Sequence, residues 1–187
     1  IGVLQAGFNE MMRGLQERQR VSDLFGRYVG AEVARRALEE KPELGGETRH
    51  VAVLFVDVIG STGFATEKEP QHVVKALNEF FDRVVEVVHA NKGIINKFQG
   101  DAALAVFGAP LPLDDVAGHA LAAARELKAK LQGLEFVAGI GVAAGSVVAG
   151  HIGAKDRFEY TVIGDAVNQA ARLTDLAKKT PGQVLTS

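Results

Sequence analysis

Apolar residues recur along this chain with two periods, and the switches between them lay out its elements. From residue 1 to residue 20 the spacing is three-four: Ile1, Leu4, Phe8, Met11 and Leu15 fall on one helical seam of the kind used by coiled coils. The seam then fails. Arg18, Gln19 and Ser22 are polar where it should continue, and Val21, Leu24, Phe25 and Tyr28 open a second apolar set in another phase. An amphipathic helix packing on its own domain fits the same pattern. Residues 30–40 read as a short helix, and residues 41–47, with Pro42, Gly45 and Gly46, as a loop and domain boundary.

Beyond the boundary, residues 50–58 are apolar on both faces, as in a central strand under helices, with Asp57 interrupting near the end. Residues 59–64 turn into a short helix that Ser61 or Thr62 could cap. Residues 70–92 carry the clearest helical stripe: Val73, Val74, Leu77, Phe80, Phe81, Val84, Val85 and Val88. Two glycine-bounded apolar runs, 93–98 and 102–107, fold about Gln99, Gly100 and Asp101 as a hairpin. Pro110 and Pro112 mark a loop, and Asp114 or Asp115 can cap a helix reaching residue 132. A strand over 135–144, a short strand or loop over 147–152, a strand over 158–163, a helix over 164–177 and a last strand from 183 complete the order. The series predicts an α+β, ferredoxin-like sheet with helices on one face.

Composition narrows the function classes. Of 187 residues, 47% are hydrophobic and 24% charged, enough to bury a real core. A net charge of -2 supplies no basic field for nucleic acid, so a bound polyphosphate would need local cations or metal ions. There is no cysteine, hence no disulfide or thiolate site, and the five histidines show no ligand spacing. The chain starts at Ile1, which reads as a piece of a longer protein with segments upstream.

Candidate chemistry gathers at the strand ends. In this topology the first strand is central and the hairpin lies beside it, so Asp57 and Asp101 converge at one sheet edge. Paired carboxylates there suit Mg²⁺ or Mn²⁺, which usually also hold substrate phosphates. The helix start after Asp57 offers free N–H groups to an anion. Taken singly, Asp57 is better explained as a helix cap and Asp101 as a turn former; the pair, with the Gly-Ser-Thr helix start right after Asp57, shifts the balance to the metal reading. Asn168 and Arg172, at i and i+4, share a helix face and could hold a ribose and a charged phosphoryl group, though for the pair alone an ordinary polar face is the better explanation. Lys97 lies beside the hairpin turn and Thr161 late in a strand.

Three stretches, VAVLFVDVIGSTGF, INKFQGDAALAVFG and FEYTVIGDAVNQAARL, resemble in order the motifs of class III nucleotidyl cyclase catalytic domains, bacterial type, across most of residues 50–175. The resemblance implies an adenylate cyclase, a lyase that converts ATP to cyclic AMP and pyrophosphate. The ribose 3′-hydroxyl attacks the α-phosphate with two divalent ions assisting and no side chain acting as general base. It implies that Asp57, Asp101 and the Val58 carbonyl hold the metals and that Gly60, Ser61, Thr62, Gly63 and Phe64 lie under the triphosphate. Lys97 and Thr161 are implied to read the base, Asn168 to orient the ribose, and Arg172 to stabilise the transition state. A lysine donor and a hydroxyl acceptor match N1 and the 6-amino group of adenine, whereas guanine reverses both. Threonine stands at 161 where aspartate is commoner, as in some bacterial subclasses.

The resemblance implies a head-to-tail homodimer whose sites are shared, in which one hairpin would serve two sites. Residues 1–20 are similar to the end of a HAMP-type signalling helix and 21–45 to a transducer segment and linker, with the catalytic domain at 46–187. A cytoplasmic cyclase on a membrane-bound receptor parent is therefore expected, with rotation imposed by the helices acting on the hairpin. No counterpart of the family's later triphosphate-binding lysine is assigned, which implies truncation past Ser187. Two other readings are a regulatory nucleotide-binding module without turnover and a diguanylate cyclase. The latter wants GG-D/E-E-F where this chain has Gln99-Gly100-Asp101-Ala102.

Overall fold

A computed structural model of the chain describes residues 2–39 and 43–187. Ile1, Lys41 and Pro42 lie outside the described residues, as do the side chains of Leu4 and Phe8. The chain divides into two compact units, residues 1–43 and 44–187. In the first, α1 (Gly2–Val29) is followed by α2 (Ala31–Glu39). Gly30 parts them at φ +89°, a left-handed conformation that ends a helix and that glycine adopts without a Cβ clash. α1 runs unbroken through the residues where the apolar seam changes phase, and Met11, Leu15, Val21, Leu24, Phe25 and Tyr28 are exposed. Among the described residues, no helix is long and apolar enough to cross a membrane.

The second unit contains, in order, β1 (Gly45–Val58), α3 (Ser61–Glu67), α4 (Pro70–Ala90), β2 (Ile94–Gln99), β3 (Ala102–Phe107), α5 (Val116–Lys130), β4 (Ala138–Ala154), β5 (Arg157–Ile163), α6 (Asp165–Ala177) and β6 (Val184–Thr186). The strands form one sheet in the order β2-β3-β1-β4-β5, antiparallel along that path, with β6 parallel to the start of β4. This is the expected α+β architecture, with β1 central and β3 beside it.

Side-chain alternation along β1 sorts the core into two layers. Ala52, Leu54, Val56 and Val58 point to the face covered by α4 and α5, where Phe80, Val84, Val88, Ala120, Ala124 and Leu127 are buried against them. Val51 and Val53 point the other way, into a layer with Leu104, Val106, Val162, Ala166 and Ala170. The expected one-sided cover is thus present in α4 and α5, and α6 adds a helix over the opposite face.

α6 sits close to its sheet because β4 has glycine beneath it. A Cβ on Gly141 would lie 2.2 Å from the Ala170 carbonyl oxygen and 2.4 Å from the Thr174 nitrogen. One on Gly139 would lie 2.7 Å from Lys178 Cγ. Helix and strand backbones approach to a distance that only a missing side chain permits.

Three local expectations need correction. β1 begins at Gly45 rather than residue 50, because Gly45–His50 pair with His151–Ser146 of β4. Residues 138–154 form one strand, not two segments, for the same reason: β1 supplies a continuous partner through Gly145. Neither Ser61 nor Thr62 caps α3. Gly60 occupies the cap position at φ +76° without a side-chain cap, and Ser61 is already inside the helix. For α5 the cap is Asp115, whose carboxylate accepts from the Gly118 N–H at 3.0 Å.

The sheet does not lie flat. Its path is five strands wide, so β2 and β5 would stand roughly 19 Å apart if unrolled. Yet Asn96 Nδ2 on β2 donates to the Tyr160 carbonyl on β5 at 2.8 Å, and Lys97 is ion-paired with Glu159. The two edges have curled together over the α6 side. A register shift between Ile95 and Lys97 makes Asn96 the extra residue of a β-bulge, the device that bends a strand and re-aims a side chain.

Candidate active site

Asp57 is the penultimate residue of β1, and its neighbours across the sheet are Ala102 of β3 and Gly139 of β4. Asp101 is the turn residue immediately before Ala102. The two carboxylates therefore occupy the same end of adjacent strands, with Val58 one residue further along β1. Asp57 shares the α6 side of β1 with Val51 and Val53.

One partner of Asp57 was not anticipated. Lys178, at the C-terminal cap of α6, puts Nζ 2.5 Å from Asp57 Oδ2 and 3.3 Å from Asp175 Oδ1. Burial works against the lysine's charge and is the largest single influence. The hydrogen bond and charge of Asp57, joined by those of Asp175, together outweigh it and hold the Lys178 pKa above its ordinary value. Gly139 makes the contact possible, since its bare Cα leaves the lysine stem a path over β4. Only the position of α6, a tertiary feature, could have revealed this pair. Among the described residues Asp101 has no ion-pair partner.

The oxygens at this strand end fit a divalent cation. Two carboxylates and a main-chain carbonyl are hard donors, and a cation, the Lys178 ammonium, already rests on one of them. Among the described residues no group of three or more His, Cys, Asp or Glu gathers, so an ion held here would draw further ligands from substrate oxygens.

Lys97 and Thr161, 64 positions apart in sequence, are brought together by the rolled sheet. Asn96 joins them: it precedes Lys97 in the chain, and its Oδ1 accepts from the Thr161 hydroxyl at 3.1 Å. Thr161 is buried, at 7% exposure, and Lys97 is mostly so. Sequence reading missed Asn96 because an asparagine in a strand carries no signal until its bulge and its cross-sheet partner are known.

Asn168 and Arg172 share a face of α6, as their spacing requires, and both are exposed. Ala166, Ala170, Thr174 and Ala177 take the buried face, so the pair projects away from the sheet that carries Asp57. The structure does not bring Asn168 and Arg172 to the two aspartates within one chain.

In α3 the Phe64 amide already bonds Gly60 O at 3.1 Å, leaving the N–H groups of Ser61, Thr62 and Gly63 as the open ones of the first turn. The Phe64 ring packs edge-on against Phe136, centroids 4.7 Å apart, and joins the core under α4.

Comparison with known proteins places these residues in context. The sequence model of the adenylate and guanylate cyclase catalytic domain matches residues 45–187. An uncharacterized protein of Mycobacterium tuberculosis is 58% identical over all of this chain, which covers 35% of that protein. A counterpart in Mycobacterium bovis matches to the same extent, so the chain spans about a third of the length of these curated relatives. Among solved structures, a bacterial light-regulated adenylyl cyclase superposes with a TM-score of 0.84 at 21% identity, over 96% of this chain and 55% of that one. The guanylyl cyclase Cya2 does so with 0.62 at 34% identity, over 71% and 73%. The adenylyl cyclase CyaB of Pseudomonas aeruginosa gives 0.63 at 26% identity, over 77% and 79%.

Proposed function

The chain belongs to the adenylate and guanylate cyclase catalytic domain family, and on that premise we propose that it is an adenylate cyclase, converting ATP to cyclic AMP and pyrophosphate. Asp57, Asp101 and the Val58 carbonyl would hold two Mg²⁺ or Mn²⁺ ions. When bound, such ions lower the pKa of the ribose 3′-hydroxyl and steady the phosphates for attack on the α-phosphorus. The open amides of Ser61, Thr62 and Gly63 receive the triphosphate, with Gly60 and Phe64 shaping that turn. Asn168 orients the ribose and Arg172 meets the charge that develops on the phosphoryl oxygens.

The observation that carries the choice of ATP is that the rolled sheet brings the strands of Lys97 and Thr161 edge to edge, with Asn96 bonding Thr161 and Lys97 paired with Glu159. An ammonium and a hydroxyl on one edge would suit the acceptor N1 and the donor 6-amino group of adenine. The outward direction of Asn168 and Arg172 supports a homodimer in which each subunit completes the other's site. The two N-terminal helices are read as the end of a HAMP-type helix and a transducer, on the cytoplasmic side of a receptor parent.

The test is product formation from ATP and from GTP with Mn²⁺ over a range of protein concentrations. Cyclic AMP as the main product, at a specific activity that rises with concentration, is expected. Asp57→Asn and Asp101→Asn should each lower turnover by about 100-fold or more. Mixing Asp101→Ala with Arg172→Ala protein should restore partial activity. Preference for GTP overturns the ATP assignment. Nucleotide binding without turnover returns the chain to a regulatory role.

A further inference from the structure

We propose that Asn96 is a specificity-determining residue, fixing the Thr161 hydroxyl as an acceptor so that this edge reads an amino group, not a carbonyl, at position six of a purine. The inference rests on the ATP reading above and names what enforces it.

The argument is a chain of hydrogen-bond valences. The Tyr160 carbonyl can only accept, so the Asn96 side-chain group 2.8 Å from it must be the NH₂. That orients the amide and turns Oδ1 toward Thr161, at 3.1 Å. An amide oxygen has no hydrogen, so the hydroxyl must donate to it. Having spent its one hydrogen, Thr161 can offer a substrate only lone pairs. A free threonine hydroxyl would rotate to suit either a donor or an acceptor, and so could not discriminate. Burial sharpens the effect, because little water competes for the hydroxyl at 7% exposure. Guanine would set O6 against those lone pairs, while adenine presents N–H.

Asn96 can do this because it is the bulged residue of β2, aimed across the sheet rather than along the ladder. Lys97 follows it in the chain and is ion-paired with Glu159, two residues before Thr161 on β5, so the ammonium and the hydroxyl lie on the same joined edge.

The experiment measures kcat/KM for ATP and GTP, and displacement of a fluorescent nucleotide by each, for the whole chain and its variants. Asn96→Ala should lower the ATP-over-GTP ratio by about tenfold, the worth of one misdirected hydrogen bond. Asn96→Asp keeps an acceptor for the hydroxyl and should retain most of the preference. In a Thr161→Val background, Asn96→Ala should leave the ratio unchanged. A merely structural role would depress both substrates together. An unaltered ratio in folded Asn96→Ala protein, checked by its circular dichroism melt, overturns the proposal. Should that variant not fold, Asn96→Asp is set against Thr161→Val: loss of preference in both overturns it, and retention in the former alone upholds it. A wild-type preference for GTP is a separate outcome, seen before any substitution, and sinks the ATP reading itself.

Discussion

Under α4 and α5 the sheet presents Leu54, Val56, Phe107 and Ile140 to Phe80, Val84 and Leu127. Under α6 it presents Gly139, Gly141 and Ala143 to Ala166, Ala170 and Thr174. The first face is a layer of large side chains. Burying it removes a large apolar area from water. Directly beneath α6 the second is small, which lets a helix backbone rest on strand backbone and leaves room for the Lys178 stem to reach Asp57. Volume fills the space under α4 and α5, while the lack of volume under α6 brings Lys178 onto Asp57. The same sheet can carry both because alternate residues of β1 and β4 face opposite ways.

That contrast can be broken from either side. Phe80→Ala, on the large-residue face, should cost about 3–5 kcal/mol in denaturant unfolding, because Phe80 is fully buried. At low temperature, where the fold persists, the ATP-over-GTP ratio should stay as it was. Gly141→Val does the reverse. It should cost about 1–3 kcal/mol by overpacking, with a larger loss of turnover, since it lifts α6 and with it Asn168 and Arg172. Equal loss of turnover in the two variants at matched stability would refute the division of labour.

A smaller effect is expected at the strand end. Lys178→Met removes the ammonium from Asp57 and should tighten Mn²⁺ binding without nucleotide by about two- to fivefold, the scale of a part-exposed ion pair. Calorimetry or manganese resonance reads this directly. Unchanged affinity would show that the lysine does not compete with the metal.

The smallest concerns the surface tie between α4 and α5. The Lys130 hydrogen bond and charge, with a lesser part from Arg83, lower the pKa of Glu86. A lowered carboxylate pKa adds stability above the unfolded value near 4.5 and loses it as pH falls through the folded one. Thermal melts of Lys130→Ala and wild type should thus differ slightly at pH 6 and converge below pH 4; a gap that widens with acid would contradict the assignment.

The stripe from Val73 to Val88 announced α4 because a helix buries by period, and only Val74 of that set is strongly exposed. The placement of Asp57 late in β1 and Asp101 at the hairpin turn, at the same end of adjacent strands, was legible because each charge stands out against apolar runs. The unity of β4 was not. Its middle, Ala143 to Val147, is small residues with a glycine, and what makes it strand is the partner β1, not propensity. The Lys178–Asp57 pair spans 121 positions and depends on where α6 lands. Asn96 depends on a bulge and on a curl of the whole sheet, neither of which has a local signature. The elements could be read from period and punctuation, whereas the site needed the long-range pairing that assembles them.

The curl has a consequence for how the molecule comes into being. Thr161 and Asn96 are 65 residues apart in the chain, and they meet only when every strand between them has found its register. Closing so long a loop costs entropy that the intervening strands must offset first. The joined β2 and β5 edges are therefore expected to form late in folding. Binding energy from nucleotide then accrues to the finished state alone and raises its melting point by mass action.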